Sequence, residues 1–184
     1  MPIPGMRGSD HVGFTVPDIK EAERFLVEIL GAVRVYSLGA IASADDWMKR
    51  QLGVHPRTVI REIRLYRLGN GSNLELFQYD SADGQTPQPR NSDIGGHHLA
   101  FYVDDLDEAV SFLRARGVDV MGEPVASSGA SAGQRWIYFR SPWGMQFELV
   151  TYPKGKAYET TESLQDSPGV LLWHPSPGGV NRHA

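Results

Sequence analysis

Four side chains in this sequence are of types that together hold a divalent cation: His11, Glu75, His98 and Glu148. Imidazole nitrogens and carboxylate oxygens form a ligand set that suits Mn, Fe, Co, Ni or Zn better than Ca. Four such ligands leave two positions of an octahedral ion for water or substrate. Buried glutamates without a partner would be costly, whereas coordinated ones are stabilised. The residue types therefore predict one divalent metal ion per site, with its identity undetermined.

These four residues occupy equivalent places in an internal repeat, which is why they are expected to meet. The stretch HVGFTVPDIKEAERFLVEILG, from His11, aligns with HLAFYVDDLDEAVSFLRARG, from His98. Further on, GSNLELFQY, which contains Glu75, aligns with GMQFELVTY, which contains Glu148. Two copies of one unit, related by a pseudo-twofold axis, would place equivalent residues face to face. We expect the two histidines and two glutamates to converge on one point.

Each copy is predicted to fold as β-α-β-β-β, which places the chain in the α+β class. The histidine opens a segment of aromatic and β-branched residues, typical of a strand. Asp18 and Asp105 follow, each with a glutamate three residues later, as in an acidic capping box that opens a helix. Gly31 and Gly117 stand where a helix needs a left-handed stop, and they align only after a one-residue slip. Three strand-like segments complete each copy.

The modules are separated and extended by segments outside the repeat. The expected boundaries are a first module at 8–80, a linker at 81–96, a second module at 97–153 and a C-terminal tail at 154–184. The first copy carries an excess that falls mostly within residues 41–58, which is either a surface excursion or a lid or wall over a cavity. The tail contains one apolar island, VLLW, and is expected to drape over the body or over a partner subunit.

Strand alternation decides which side chains share a face with the candidate ligands. It groups His98 with Tyr102 and leaves His97 on the other face, although a slip of one residue would exchange the two histidines. The side chains expected to shape substrate contacts, or alternatively to be core, are Tyr102, Phe77, Tyr79 and Gln146. Three arginines of one strand-like segment are expected mostly at a solvated sheet edge: Arg61, Arg64 and Arg67.

Composition narrows the classes of protein to which the chain could belong. Its apolar fraction of 41% and charged fraction of 22% are those of an ordinary globular protein. A formal net charge of −4 provides no basic field for nucleic acid. The absence of cysteine excludes disulfides, thiolate metal sites and thiol nucleophiles. With no secretory-signal layout and no apolar run of membrane-spanning length, we expect a cytoplasmic protein without a membrane partner.

The repeated motifs resemble the vicinal oxygen chelate superfamily, which includes glyoxalase I, methylmalonyl-CoA epimerase, extradiol dioxygenases and fosfomycin- and bleomycin-resistance proteins. The likeness covers about residues 8 to 153 and rests on HVGFTVPD, LELFQY, HHLAFYVDD and GMQFELV. It implies paired βαβββ modules that form an open, cupped mixed sheet around a metal ion, usually in a homodimer. The resemblance also implies the ligand set His11, Glu75, His98 and Glu148.

Glu75 indicates the branch of this superfamily. The ring-opening and fosfomycin-modifying branches imply two histidines and one carboxylate, whereas a second carboxylate is similar to the glyoxalase and epimerase branch. The expected activity is therefore metal-dependent proton transfer α to a carbonyl of a small oxygenated substrate, as an epimerase, isomerase or lyase. Glu148, with Glu75 as its symmetric counterpart, is expected to be the base, by loosening from the metal. Two alternatives remain: an Fe(II) extradiol-type dioxygenase, and a non-catalytic small-molecule binding protein.

Overall fold

The computed structural model describes residues 3–160. The chain divides into two compact units between Pro87 and Gln88, inside the expected linker 81–96. Most of the expected tail, including its apolar island, lies outside the described residues. No helix within 3–160 is long and apolar enough to cross a membrane.

The first unit builds one mixed sheet from the first repeat. Its strands are β1 (His11–Thr15), β2 (Val33–Leu38), β3 (Val59–Arg67) and β4 (Asn73–Asp80). Their order across the sheet is β1-β4-β3-β2; β1 is parallel to β4, and the other neighbours are antiparallel. Helix α1 (Ile19–Arg24) follows β1, and the short helix α2 (Trp47–Leu52) lies between β2 and β3.

The second unit repeats this topology. Its strands are β5 (His98–Tyr102), β6 (Asp119–Ala126), β7 (Arg135–Arg140) and β8 (Gln146–Thr151), and helix α3 (Leu106–Ala115) follows β5. The strand order is β5-β8-β7-β6, with β5 parallel to β8 and the rest antiparallel. The predicted βαβββ repeat of the α+β class is confirmed, and each unit builds an open mixed sheet of four strands.

The helices begin where the acidic caps predict. The side chain of Asp18 accepts hydrogen bonds from the backbone N–H groups of Lys20 and Glu21. Asp105 accepts in the same way from the two backbone N–H groups at the start of α3. These N–H groups have no partner inside the helix, so the caps stabilise both starts.

A π-helical turn accounts for the one-residue slip between the repeats. After α1 the chain continues as a π turn at Phe25–Ile29, where the N–H of Leu30 donates to the carbonyl of Phe25 at 3.3 Å. α3 has no such turn and remains α-helical to Ala115. A π turn takes up an inserted residue without ending the helix. Both helices are then followed by a glycine with positive φ, 73° at Gly31 and 70° at Gly117.

Each sheet packs one face against its helix, and the candidate ligands lie on the other face. On the helix side of the first sheet, the buried apolar side chains include Phe14, Leu74, Leu76 and Tyr66. The corresponding side chains in the second unit are Ile137, Phe139, Phe147 and Leu149. Burial of each large apolar side chain contributes about 1.5–3 kcal/mol to folding. Because successive residues alternate, His11 and Glu75 lie on the opposite face of the first sheet.

The prediction that Arg64 lies at a solvated sheet edge is wrong. β3 lies between β2 and β4, and Arg64 is only 5% exposed. Its Nε donates to Oε1 of Glu62 at 2.7 Å, and its Nη1 pairs with Glu23 of α1. These carboxylates hold the pKa of Arg64 above its ordinary value, the hydrogen bond to Glu62 having the largest effect. Arg64 therefore ties α1 to the sheet, and the buried charge is tolerated because it is paired.

Candidate metal centre

The first unit brings His11 and Glu75 together on neighbouring parallel strands. The Nε2 atom of His11 lies 3.3 Å from Oε2 of Glu75, and the Glu75 side chain is 16% exposed. Gly13 stands opposite Glu75 in the β1–β4 register. A Cβ at Gly13 would lie 3.9 Å from Oε2 of Glu75, so a longer side chain there would fill the approach to the carboxylate.

The second unit brings His98 and Glu148 together in the same way. The Nε2 atom of His98 lies 3.0 Å from Oε2 of Glu148, whose side chain is 10% exposed. The small residue Ala100 stands opposite Glu148 in the β5–β8 register. Burial raises the pKa of Glu148 above its ordinary value, and the neighbouring His98 opposes that shift. The same two atom types thus meet at equivalent positions of both repeats.

The other imidazole nitrogen of each histidine also has a partner. Nδ1 of His11 lies 2.7 Å from a carboxylate oxygen of Asp10, and this hydrogen bond is the main reason that the pKa of His11 is raised. Nδ1 of His98 lies 3.4 Å from the amide oxygen of Asn91. An amide oxygen can only accept, so this contact favours the His98 tautomer with the hydrogen on Nδ1, in which Nε2 of the neutral ring holds a lone pair.

This arrangement passes a chemical test for a metal site. A lone pair on Nε2 that faces a carboxylate oxygen at about 3 Å is repulsive unless a cation, either a proton or a metal ion, lies between them. Ligating histidines ordinarily donate their other N–H to a carboxylate or carbonyl, which is what Asp10 and Asn91 provide. The donor set therefore fits a divalent ion. Within either unit, no three or more of the described His, Asp and Glu side chains are grouped so that they could hold a metal ion. Convergence of the two histidine–glutamate pairs on one ion therefore stays a prediction.

His97, the alternative ligand, takes no part in either pair. Its Nδ1 atom lies 2.9 Å from the carbonyl oxygen of Gly95, and its side chain is exposed. His98 is the histidine that contacts Glu148.

The inserted segment 41–58 of the first unit packs onto the sheet face that carries Glu75. Met48 of α2 is fully buried against Ile60 and Ile63. Phe77 and Tyr79 pack against the same cluster and stack on each other, with ring centroids 5.7 Å apart. The segment is thus packed against that part of the sheet, and its role as a wall of the site stays a prediction.

The predicted substrate-contact residues lie on the candidate faces of both units. Phe77 and Tyr79 extend the β4 face beyond Glu75, and burial raises the pKa of Tyr79. Gln146 is the β8 register partner of His98, and the Tyr102 ring lies edge-on to that of Tyr152 at 4.9 Å. Their contact with a substrate stays a prediction.

Three residues beside the candidate ligands were missed by sequence reasoning: Asp10, Asn91 and Tyr138. Asp10 could have been noticed, because it directly precedes His11. Tyr138 stands opposite Glu148 in the β7–β8 register, and its ring lies edge-on to that of His98 at 5.2 Å. Burial raises its pKa, which the negative charge of Glu148 raises further. In the first unit Leu65 occupies the place equivalent to Tyr138.

The family model of the Glyoxalase/Bleomycin resistance protein/Dioxygenase superfamily matches residues 10–139, and the chain belongs to this superfamily. Among relatives, it is 48% identical over 159 residues to a 2-epi-5-epi-valiolone epimerase from Actinomyces sp., a match that covers 85% of this chain and 86% of that protein. The chain is thus an enzyme of the epimerase type, which confirms that expectation over the dioxygenase and binding-protein alternatives.

Solved structures agree on the fold. A glyoxalase family protein from Bacillus cereus matches with a TM-score of 0.63 at 22% identity, over 82% of this chain and 98% of that one. The fosfomycin resistance protein FosX from Listeria monocytogenes, in complex with Mn(II) and sulfate, matches with a TM-score of 0.52 at 22% identity, over 79% of this chain and 93% of that one.

Proposed function

We propose that this protein is a divalent-metal-dependent epimerase that inverts a carbon next to the ketone of a small oxygenated substrate, and that this substrate is 2-epi-5-epi-valiolone or a close stereoisomer. The observation that carries the proposal is the matched contact between imidazole Nε2 and carboxylate Oε2 in both repeats. The identity of 48% to an epimerase named for that ketone supports the substrate class.

The metal would be held by His11, Glu75, His98 and Glu148. When bound, a divalent ion supplies a Lewis acid that makes the C–H next to the substrate carbonyl more acidic. The metal itself is one of Mn, Fe, Co, Ni or Zn, and Mn(II) is the first to test because the FosX complex contains it.

Glu148 and Glu75 would carry out the proton transfer. Inversion requires removal of a proton from one face of the substrate carbon and delivery of a proton to the other face. Two carboxylates at equivalent positions of a duplicated unit can serve the two faces. Both side chains are largely buried, with exposures of 10% for Glu148 and 16% for Glu75. After an inversion, the carboxylate that delivered its proton takes a new one from solvent, so each turnover in D2O would introduce deuterium at the inverted carbon.

The test is metal-dependent deuterium exchange. Protein loaded with Mn(II) is incubated with 2-epi-5-epi-valiolone in D2O, and deuterium at the carbons next to the ketone is followed by NMR. We expect exchange in the wild type, its loss in Glu148→Gln, and no change in Glu123→Gln, an exposed control in the same unit that pairs with Arg114. Absence of exchange in the loaded wild type, or exchange that survives complete chelation, would overturn the proposal.

We further propose a homodimer and a cytoplasmic location. The sheet-edge strand β2 leaves large apolar side chains exposed, among them Val33 at 65% and Val35 at 57%, and a second copy would cover such an edge. Light scattering coupled to gel filtration should give twice the chain mass of 20.4 kDa. Cell fractionation tests the location.

A further inference from the structure

The segment between the two repeats forms a fixed turn next to the second histidine–glutamate pair. Arg90 donates two hydrogen bonds to the carboxylate of Asp93, from Nη2 at 2.9 Å and from its backbone N–H at 3.0 Å. The N–H of Gly96 then donates to the carbonyl of Asp93 at 2.8 Å. A Cβ at Gly96 would meet the carbonyl oxygen of Arg90 at 2.2 Å, so the turn closes this tightly only around a glycine. Residues 90–96 are therefore not a passive linker.

This turn places Asn91 between two side chains of the second unit. Its amide oxygen lies 3.4 Å from Nδ1 of His98. Its side chain also lies near enough to Tyr138 to oppose, as a hydrogen-bond partner, the rise in the pKa of that hydroxyl. One orientation of the amide satisfies both contacts: the oxygen accepts from His98, and the NH2 group donates to the Tyr138 oxygen. The hydroxyl proton of Tyr138 is then left for donation to another group.

We propose that Asn91 is a positioning residue of the candidate metal centre. It holds His98 in the tautomer whose Nε2 lone pair faces Glu148, and it turns the Tyr138 hydroxyl proton toward the substrate that Glu148 deprotonates. This inference rests on the proposed function.

The two repeats use different residues to orient the imidazole of their candidate ligand histidine. In the first unit the partner of the histidine is Asp10, the adjacent residue, at 2.7 Å. In the second unit the residue before His98 is His97, which turns away to the carbonyl of Gly95. The second unit therefore takes its partner from the connecting turn, which makes the connection between the repeats a part of the site.

The inference predicts a set of effects on metal binding. Loss of an outer partner of a ligating histidine typically weakens metal binding by about 10–100-fold. We expect Asn91→Ala to weaken Mn(II) binding by about tenfold or more, and Asn91→Asp to restore it, because a carboxylate oxygen also accepts from Nδ1–H. Arg90→Ala, which loosens the turn without touching the site, should give a smaller loss. Arg114→Ala removes another arginine–carboxylate pair of the same unit, with Glu123, and should bind Mn(II) like the wild type.

The experiment combines calorimetric Mn(II) titration with 15N NMR of the imidazoles in the metal-free protein at pH 8. The NMR spectrum reads the tautomer of His98 directly, a property that a merely structural role of Asn91 would not change. We expect Nδ1–H to dominate in the wild type and in Asn91→Asp, and a mixture of tautomers in Asn91→Ala.

The outcomes separate this inference from the proposed function. If the wild type binds Mn(II) and Asn91→Ala retains both its affinity and its His98 tautomer, the role of Asn91 is wrong and the proposed function stands. If the wild type binds no divalent metal, the proposed function fails, and the tautomer comparison still decides whether Asn91 orients His98. Should Asn91→Ala fail to fold, Arg90→Ala, which loosens the turn at the neighbouring residue, gives the decision. Retention of both the wild-type Mn(II) affinity and the wild-type His98 tautomer in that variant would overturn the role of Asn91.

Discussion

Replacing Met48 by alanine tests whether the inserted segment 41–58 is a wall of the site or a loose loop. Met48 has no exposed surface and packs against Ile60 and Ile63, while the partly buried Ile41 and Val54 complete the cluster. Truncation of a buried methionine typically costs about 2–5 kcal/mol, depending on how far the neighbours can close the gap. Because two of these neighbours are only partly buried and can move inward, we expect about 2–3 kcal/mol, in the lower half of that range.

The assay is hydrogen exchange at the backbone bridge between the segment and the sheet. The N–H of Ile41 donates to the carbonyl of Ile60 at 2.9 Å, and the N–H of Ile60 donates back at 3.0 Å. Both amides should open more easily in Met48→Ala, by the free energy lost from the cluster. Reading local opening avoids the assumption that two units unfold in one step.

Leu52→Ala is the matched control, since Leu52 lies on the same short helix but is 39% exposed. It should change the exchange of the two amides by less than about 1 kcal/mol, because little apolar area is lost. Equal changes in Met48→Ala and Leu52→Ala would refute the view that Met48 anchors the segment. A wall held in this way should also limit which substrates reach the face beside Glu75, so that Met48→Ala raises KM more than it lowers kcat.

Three further predictions address the caps, the turn and the missed tyrosine. Asp105→Ala removes the cap of α3 and should lower the free energy of opening of that helix by about 1 kcal/mol, measured by hydrogen exchange of its backbone amides; no loss would contradict the capping role. Gly96→Ala forces a Cβ onto the carbonyl of Arg90 and should cost about 1–3 kcal/mol while weakening Mn(II) binding; a neutral result would show that the turn can relax. Tyr138→Phe removes one hydroxyl donor and should lower kcat by about 5–10-fold with metal affinity retained, whereas Tyr36→Phe, on the exposed strand β2, should leave kcat unchanged.

The repeat made much of the fold readable from the sequence. Because the pattern is duplicated, each helix cap and each strand is predicted twice. Asp18 and Asp105, for example, occupy the same place in the two copies, and each strengthens the prediction that the other caps a helix. The same duplication turns two ordinary histidines and two glutamates into matched pairs, and both pairs form inside their units. Even the slip before Gly31 has a structural counterpart in the π turn at Phe25–Ile29.

The features that the sequence did not predict depend on contacts between residues far apart in the chain. Arg64 was expected at a solvated edge, but strand order puts β3 inside the sheet, and the partner carboxylate of Glu23 comes from α1. Tyr138 becomes part of the site only through the register that sets it opposite Glu148. Asn91 sits in a stretch whose composition is typical of a linker, and only the closed turn brings it to His98. Local propensity carries no information on these placements.

The two repeats differ in the side chain that lies opposite each candidate base, and this difference matters for the proposed epimerase reaction. If Glu75 and Glu148 serve the two faces of one substrate carbon, as proposed above, a chiral substrate presents them with two chemically unlike faces. Leu65 lies opposite Glu75, and Tyr138 lies opposite Glu148 in the corresponding register. A hydroxyl donor beside one carboxylate and an apolar side chain beside the other would stabilise developing charge unequally on the two faces. On the proposed function, the repeat thus provides the pair of bases, and its divergence at these two positions lets the site hold the substrate in one orientation.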